Sequence, residues 1–378
     1  DLHRRRHSFP TRRSSDLALS WDPDKQRRSA LMAVGALVVL VASIAITSLL
    51  SARREANPCR MAGQTVEGAW NGEVRDKIAR AFETTKLPYA KATWERLSSQ
   101  LDAYTVALRG ERVAACEATH VRNEQSAEVL NLRTICLDRR QRHLHALLDA
   151  FTQADAQVVE HAAEATAALP RVDGCQDAEA LLLGVRPPED AATAATVVSI
   201  QNELARAEVL FQSVRYKEAL AIAEAQWEAT RKIQYRPVQA DAAYEVGRIL
   251  ADLVTGDEVE RAEKLLREAL DLSVRSRHDV RTAETWKSLV HLSARHHSNK
   301  QIGYLWAESA LSAIERAGND STLLASTLNE AGSLYAKAGR SDDAERMLRQ
   351  ALDLEQKNRV DVLFQADTWQ FLANVSKD

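Results

Sequence analysis

Aromatic side chains are scarce in this chain of 378 residues: six Phe, seven Tyr and seven Trp, 5% in all. Glycine (13) and proline (8) are few as well. Strands favour aromatic and β-branched residues and need Gly- and Pro-rich turns, so the shortage argues against an all-β fold. The abundance of Ala, Leu, Glu and Arg argues for helices. Neither sign of charge dominates: 50 basic against 53 acidic residues leave a net −3, with the signs interspersed. No basic stripe marks a nucleic-acid surface, and no acidic tail marks a solvating segment. Catalytic signatures are missing too. There is no Gly-rich phosphate loop, no His-Arg-Asp catalytic loop, no Asp-Phe-Gly and no nucleophile motif among the scattered Ser, His and Asp. No active site and no cofactor are expected. His291, His296 and His297 come nearest to a metal set, but they mix a helix position with a loop, lack a cysteine or paired carboxylate, and fit no standard zinc spacing. No metal is expected there.

One long apolar run stands out. No charge falls between Ser29 and Ala52, and Leu31 to Leu50 is almost wholly apolar. At about 1.5 Å per residue, twenty helical residues span about 30 Å, the thickness of a bilayer's hydrocarbon core. A signal peptide has a shorter apolar region followed by a small-x-small cleavage site; Ser51, Ala52, Arg53 and Arg54 form a poor one. The run is therefore read as a transmembrane helix over 30–52, preceded by a juxtamembrane stretch, 18–29. Residues 1–17 read as translated sequencing-adapter DNA, against a rival reading as a native basic arm, and are expected to be disordered. Charge does not orient the span: Lys25, Arg27 and Arg28 precede it, and Arg53, Arg54 and Arg60 follow it.

Cysteines orient it better. All four, Cys59, Cys116, Cys136 and Cys175, follow the apolar run, and none occurs later. An even, clustered set points to disulfides and an oxidising compartment such as a periplasm; four buried thiols in a cytosolic chain are the alternative. The region 59–175 has helical periodicity throughout. Helices are expected over Val66–Thr85, from Tyr89 to about His120, from about Glu124 to Phe151, and over Ala154–Leu169, with Pro88 and Pro170 as breakers. An antiparallel helical bundle follows. If the first pair turns near Leu87, Cys59 lies 28 residues before the turn and Cys116 lies 29 after it. If the second turns near Ala154, Cys136 lies 18 before and Cys175 lies 21 after. Equal distances from a hairpin turn set residues side by side, so of three connectivities the spacing predicts Cys59–Cys116 and Cys136–Cys175.

Several short stretches carry a family likeness. They are Gly68, Ala69 and Trp70; Ala81 to Thr85; Leu87 to Ala90; Trp94; Leu101 to Tyr104; Cys116 to Thr119; Glu124 to Ser126; and Leu132, Arg133, Cys136 and Leu137. Together they resemble the juxtamembrane sensor-like region of myxobacterial-type transmembrane serine/threonine kinases. The likeness covers nearly everything after Asp22. It implies a bundle and repeats facing the periplasm of a bacterial inner-membrane, single-pass protein, with a kinase domain upstream that this chain does not include.

After a linker, 176–197, holding Pro187 and Pro188, the sequence repeats. Leu328, Gly332, Tyr335, Ala344, Leu348 and Ala351 form one unit in the tetratricopeptide pattern. Gly247, Leu250, Ala262, Leu266 and Ala269 mark a second; Trp286, Leu289, Gly303, Ala307 and Ala310 a third; Ala207, Leu210, Tyr216, Ala219 and Ala223 a weaker one. The second-helix marker falls at Ala219, Ala262, Gly303 and Ala344, at intervals of 43, 41 and 41 residues. Ala366, Thr368, Trp369 and Leu372 echo Ala283, Thr285, Trp286 and Leu289, so about four and a half repeats over 198–378, truncated at the C-terminus, are expected. Such units stack into a solenoid whose groove is lined by first-helix side chains. On that template Tyr244, Arg248, Lys287, His291, Arg295, Asn329 and Lys337 line it. Several are basic, so an acidic or C-terminal carboxylate peptide is the expected ligand.

The sequence therefore reads as all-α: a transmembrane helix, an antiparallel bundle, then a tetratricopeptide-type α-solenoid. The expected function is a membrane-anchored protein-interaction scaffold, the extracytoplasmic sensor and repeat portion of a kinase-type receptor, with a homodimer compatible. The rival is a stand-alone tethered adaptor that assembles an envelope complex; a soluble cytosolic repeat regulator is a third reading.

Overall fold

The computed structural model describes residues 32, 34–48, 59–253, 258–296, 301–357 and 365–375, and among these every regular element is a helix. Helix α1 occupies 34–48, with Leu37, Val38, Val39 and Leu40 exposed. Among the described residues no helix is long and apolar enough to cross a membrane. The ends of the expected 30–52 span, the lead 1–17 and the stretch 18–29 lie outside the described residues.

The region after Cys59 opens with a 3-10 turn, Arg60–Gly63, then α2 (Gln64–Ala69) and α3 (Gly72–Thr84). One helix was expected over Val66–Thr85. It breaks because Trp70 is extended and the Asn71 side chain accepts a hydrogen bond from the Val74 amide, which starts a new helix. Helices α4 (Ala90–His120) and α5 (Ala127–Thr152) form the long hairpin, with Ser126 capping α5. The fourth expected helix is also interrupted, into α6 (Ala156–Glu160) and α7 (Ala162–Ala167), with His161 between them outside helical geometry. Phe82 anchors the bundle core, its ring 5.4 Å from Phe151 and 5.7 Å from Trp94.

Both expected disulfides form. Cys59 joins Cys116 with Cα atoms 5.5 Å apart, and Cys136 joins Cys175 at 5.7 Å. They close loops of 57 and 39 residues, for which chain-entropy arithmetic gives a stabilisation of about 4 kcal/mol each.

The expected linker is shorter than 176–197. It contains α8 (Ala178–Leu183), and α9 (Ala191–Gln212) starts inside it. Asp190 caps α9 through the Thr193 amide, and the Ala-rich run that follows favours helix over coil. Helix pairs then succeed one another: α10 (Tyr216–Thr230), α11 (Arg236–Leu253), α12 (Glu258–Arg275), α13 (Asp279–His296), α14 (Gln301–Arg316), α15 (Ser321–Lys337), α16 (Ser341–Lys357) and α17 (Ala366–Val375). Helices α9, α11, α13, α15 and α17 each touch the next of their series and form one layer. Helices α10, α12, α14 and α16 form the other, each packed on its own partner and on the helix that follows.

This repeat-like architecture depends on small residues between the layers. Ala219, Ala262, Gly303 and Ala344 are all buried on the second-layer helices. A Cβ on Gly332 would stand 2.7 Å from Leu348 Cγ, and one on Gly247 would stand 2.9 Å from Leu266 Cγ. Tyr335 fills the adjoining space, stacked 4.6 Å from Tyr304. Helix α9 belongs to both regions: Val209 packs in the bundle core, Ala207 and Leu210 in the repeat core.

Two equivalent turns differ in their strain. Gly339 precedes α16 with φ 77°, and its neighbour Arg340 donates from its amide to Tyr335 O. Val214 stands in the same place before α10, with φ 62°, and Arg215 donates to Leu210 O. A β-branched residue there costs about 1 kcal/mol or more relative to glycine. Val214→Gly should therefore raise the urea midpoint by an amount worth about 0.5–1 kcal/mol; a loss of stability would contradict the turn. Gly332→Val should cost about 1–3 kcal/mol by overpacking against Leu348, read from the same unfolding curves.

Candidate functional site

The first-layer helices carry a polar stripe on their shared side. On α11 it consists of Asp241, Tyr244, Glu245, Arg248 and Asp252, spaced i, i+3, i+4, i+7 and i+11, which is one helical face. On α13 it consists of Arg281, Glu284, Ser288, His291 and Arg295. These side chains bind one another across neighbouring helices, not only along one helix.

At one end Arg281 Nε donates to Asp241 Oδ1 at 2.8 Å, and its Nη1 lies 2.7 Å from Glu284 Oε2. His278 also faces Asp241, 3.3 Å away. Burial alone would raise the Asp241 carboxyl, but the charges of Arg281 and His278 outweigh it and hold it well below the usual range. Tyr244 lies beside this pair with the Arg281 guanidinium 4.2 Å from its ring centre. Burial, reinforced by Glu284, pushes its phenol up to about 12. Arg248 makes a two-pronged pair with Glu245, Nε to Oε2 at 2.8 Å, and stacks 4.2 Å over Phe211.

Further along, one imidazole joins three helices. His291 Nε2 lies 3.1 Å from Asp252 Oδ1 on α11, and its Nδ1 lies 3.0 Å from Glu330 Oε1 on α15. Arg295 Nη1 shares Asp252 Oδ1 at 3.4 Å. Burial works against the imidazolium, but the hydrogen bonds to Asp252 and Glu330 and their charges prevail and raise its pKa to about 9. Each carboxylate, despite its burial, is lowered in return by His291. The separations in sequence are 39 from Asp252 to His291 and again 39 from His291 to Glu330 (330 − 291). One cation on the middle helix thus bridges an acid on the helix before it and an acid on the helix after it.

The seven expected groove residues all lie on first-layer helices α11, α13 and α15, two pairs of them clustered and three standing apart. Tyr244 and Arg248 join Arg281 and Glu245; His291 and Arg295 meet at Asp252. Asn329 turns toward the end of the chain, its Nδ2 donating to Glu355 Oε1 at 3.0 Å and to Thr368 Oγ1 at 2.7 Å. Lys337 donates to the Ala294 carbonyl at 3.1 Å. Lys287 is half-buried and, among the described residues, forms no ion pair, though its charge helps hold Glu330 low. The face expected to be basic is therefore a ladder of mixed sign, in which Lys287, the half-exposed Arg295 and the exposed Lys337 remain the cations most open to a partner.

Sequence reasoning missed Asp241, Glu245, Asp252, Arg281, Glu284 and Glu330. Spacing on α11 could have found the first three, because Asp241, Glu245 and Asp252 share a face with Tyr244 and Arg248. Chemically the ladder is a set of clasps. An imidazolium that keeps its proton near neutrality and donates from both nitrogens is unsuited to act as a general base. Among the described residues no cluster of His, Cys, Asp or Glu could hold a metal ion; His297 lies outside them.

Comparison with family models, with curated proteins and with solved structures finds no match for the chain.

The His291 clasp has a defined pH signature. An unfolded histidine titrates near about 6.5, so a folded value of about 9 gives stability that is complete below the unfolded value and is lost as pH rises through 9. The depressed carboxylates add stability that is present above about 4 and is lost as pH falls. The stability difference between the natural chain and His291→Gln should be largest near pH 5–6.5 and should shrink by about pH 10. Urea unfolding across that range measures it, and a difference independent of pH would contradict the clasp.

Proposed function

We propose that this chain is a membrane-anchored protein-interaction scaffold, the extracytoplasmic sensor and repeat portion of a serine/threonine-kinase-type receptor. The observation that carries the interaction role is the two-layer pairing of helices with small buried residues at intervals of 43, 41 and 41. Layers built in this way on a tetratricopeptide-type plan leave a continuous first-layer face for a protein or peptide ligand. Lys287 and Arg295 offer that ligand a place for a carboxylate, flanked by acids that would reject a uniformly negative peptide. The anchor role rests on the apolar run around α1: a helix that is apolar on all sides needs an apolar surrounding. The extracytoplasmic placement rests on the Cys59–Cys116 and Cys136–Cys175 bonds, which persist in oxidising compartments. The link to a kinase rests on the resemblance of the bundle segments alone.

Carbonate-washed membranes from expressing bacteria should retain the chain, and its four cysteines should resist alkylation until a reductant is added. Release into the soluble fraction would overturn the anchor, and ready alkylation would overturn the compartment. A photoreactive side chain at Lys287 should trap a protein partner in those membranes, whereas one at the exposed Val106 of α4 should not. Equal trapping at both positions would remove the first-layer face as the binding surface.

A further inference from the structure

Ion pairs satisfy most arginines of the bundle: Arg112 meets Asp138 at 2.6 Å and Arg133 meets Glu111 at 3.2 Å. Three arginines on α5 differ. Arg139, Arg140 and Arg142 fall within four residues, all half-buried. Arg140 Nε donates only to a neutral acceptor, the Arg171 carbonyl, at 2.9 Å, and Arg142 only to Gln201 Oε1 of α9, at 2.8 Å. Arg139 makes no hydrogen bond or ion pair among the described residues. The acids near them are already engaged: Asp138 by Arg112, Asp241 by Arg281 and His278, Glu284 by Arg281, and Asp320 as the cap of α15.

Three guanidinium charges are thus partly withdrawn from water where the bundle meets the first repeat, with no carboxylate at ion-pair distance. Burial is the largest influence on Arg140 and Arg142, and repulsion from Arg139 the next; together they bring Arg142 down to about 10. Charge held in this way costs stability unless a counter-charge arrives. Guanidinium forks at i and i+3 on one helix suit the oxygens of a single oxyanion, which takes paired N–H donors.

We propose that Arg139 and Arg142 form a binding site for a multivalent phosphate-type oxyanion at the junction of α5 with α9, with Arg140 adding positive charge from an adjoining face of α5. The site stands independently of the receptor reading, since it needs neither the anchor nor a peptide in the repeats. Half-burial against α9 favours a small soluble anion over a lipid headgroup, although both carry the same phosphate chemistry.

The test uses the full chain in phosphate-free detergent, titrated with inorganic phosphate at constant ionic strength set by chloride. Calorimetry should show saturable binding, and the thermal midpoint should climb with phosphate. The double variant Arg139→Gln, Arg142→Gln should bind at least about tenfold more weakly, as loss of charge-assisted bonds implies. It should also be as stable as the natural chain, or more so, without phosphate, because the repulsion is gone. A natural chain indifferent to phosphate, a double variant that responds equally, or binding only to phosphatidylglycerol vesicles would each overturn the proposal. If the double variant does not fold, Arg139→Gln alone decides the matter: its side chain makes no bond to lose, so unchanged phosphate affinity would refute the site.

Discussion

Two helices can lie close only where one presents little or no side chain, and the second half of this chain is organised around that constraint. Ala219, Ala262, Gly303 and Ala344 keep the second-layer helices against the first, and Gly247 and Gly332 leave room for Leu266 and Leu348. Packing at this density tolerates little change in volume. Once the layer spacing is fixed, polar side chains on the shared side of α11, α13 and α15 face one another. Like charges there would repel at short range in a poorly hydrated setting. His291, placed between Asp252 and Glu330, resolves that conflict, and these three buried charges gain the partners they require.

The bundle reaches the same end by different chemistry. Its helices are interrupted at Trp70 and His161 and are held by covalent bonds at the entry turn and after α7. Helix α9 joins the two regions by giving one face to each core. Anything that shifts α5 against α9 therefore bears on both, through Arg142–Gln201 and through His143 Nδ1 on Glu208, 3.1 Å apart. That junction is also where arginines without a carboxylate partner collect.

Much of this was legible in the residues. Helical class followed from composition, the repeat interval from four small residues, and both disulfides from distances to the hairpin turns. The breaks at Trp70 and His161 were not, because a local cap such as Asn71 competes with a pattern that continues on either side. The boundary of α9 was missed because an Ala- and Thr-rich run beside Pro187 and Pro188 looks like a linker, while Asp190 turns it into a capped helix.

The sequence by itself determined that this protein is helical, which cysteines pair, and which residues sit between paired helices, because periodicity and turn spacing are properties of one strand of text. Only the tertiary structure decided the electrostatics. Arg248, His291 and Lys337 looked like free cations when read along the chain. Glu245 and Glu330 neutralise the first two, and Lys337 is held by the Ala294 carbonyl, partners that come in part from helices about forty residues away, whereas Arg139 and Arg142 are left without carboxylates although acids stand close to them in sequence. Charge pairing depends on distance through space, and that is set only when the layers close.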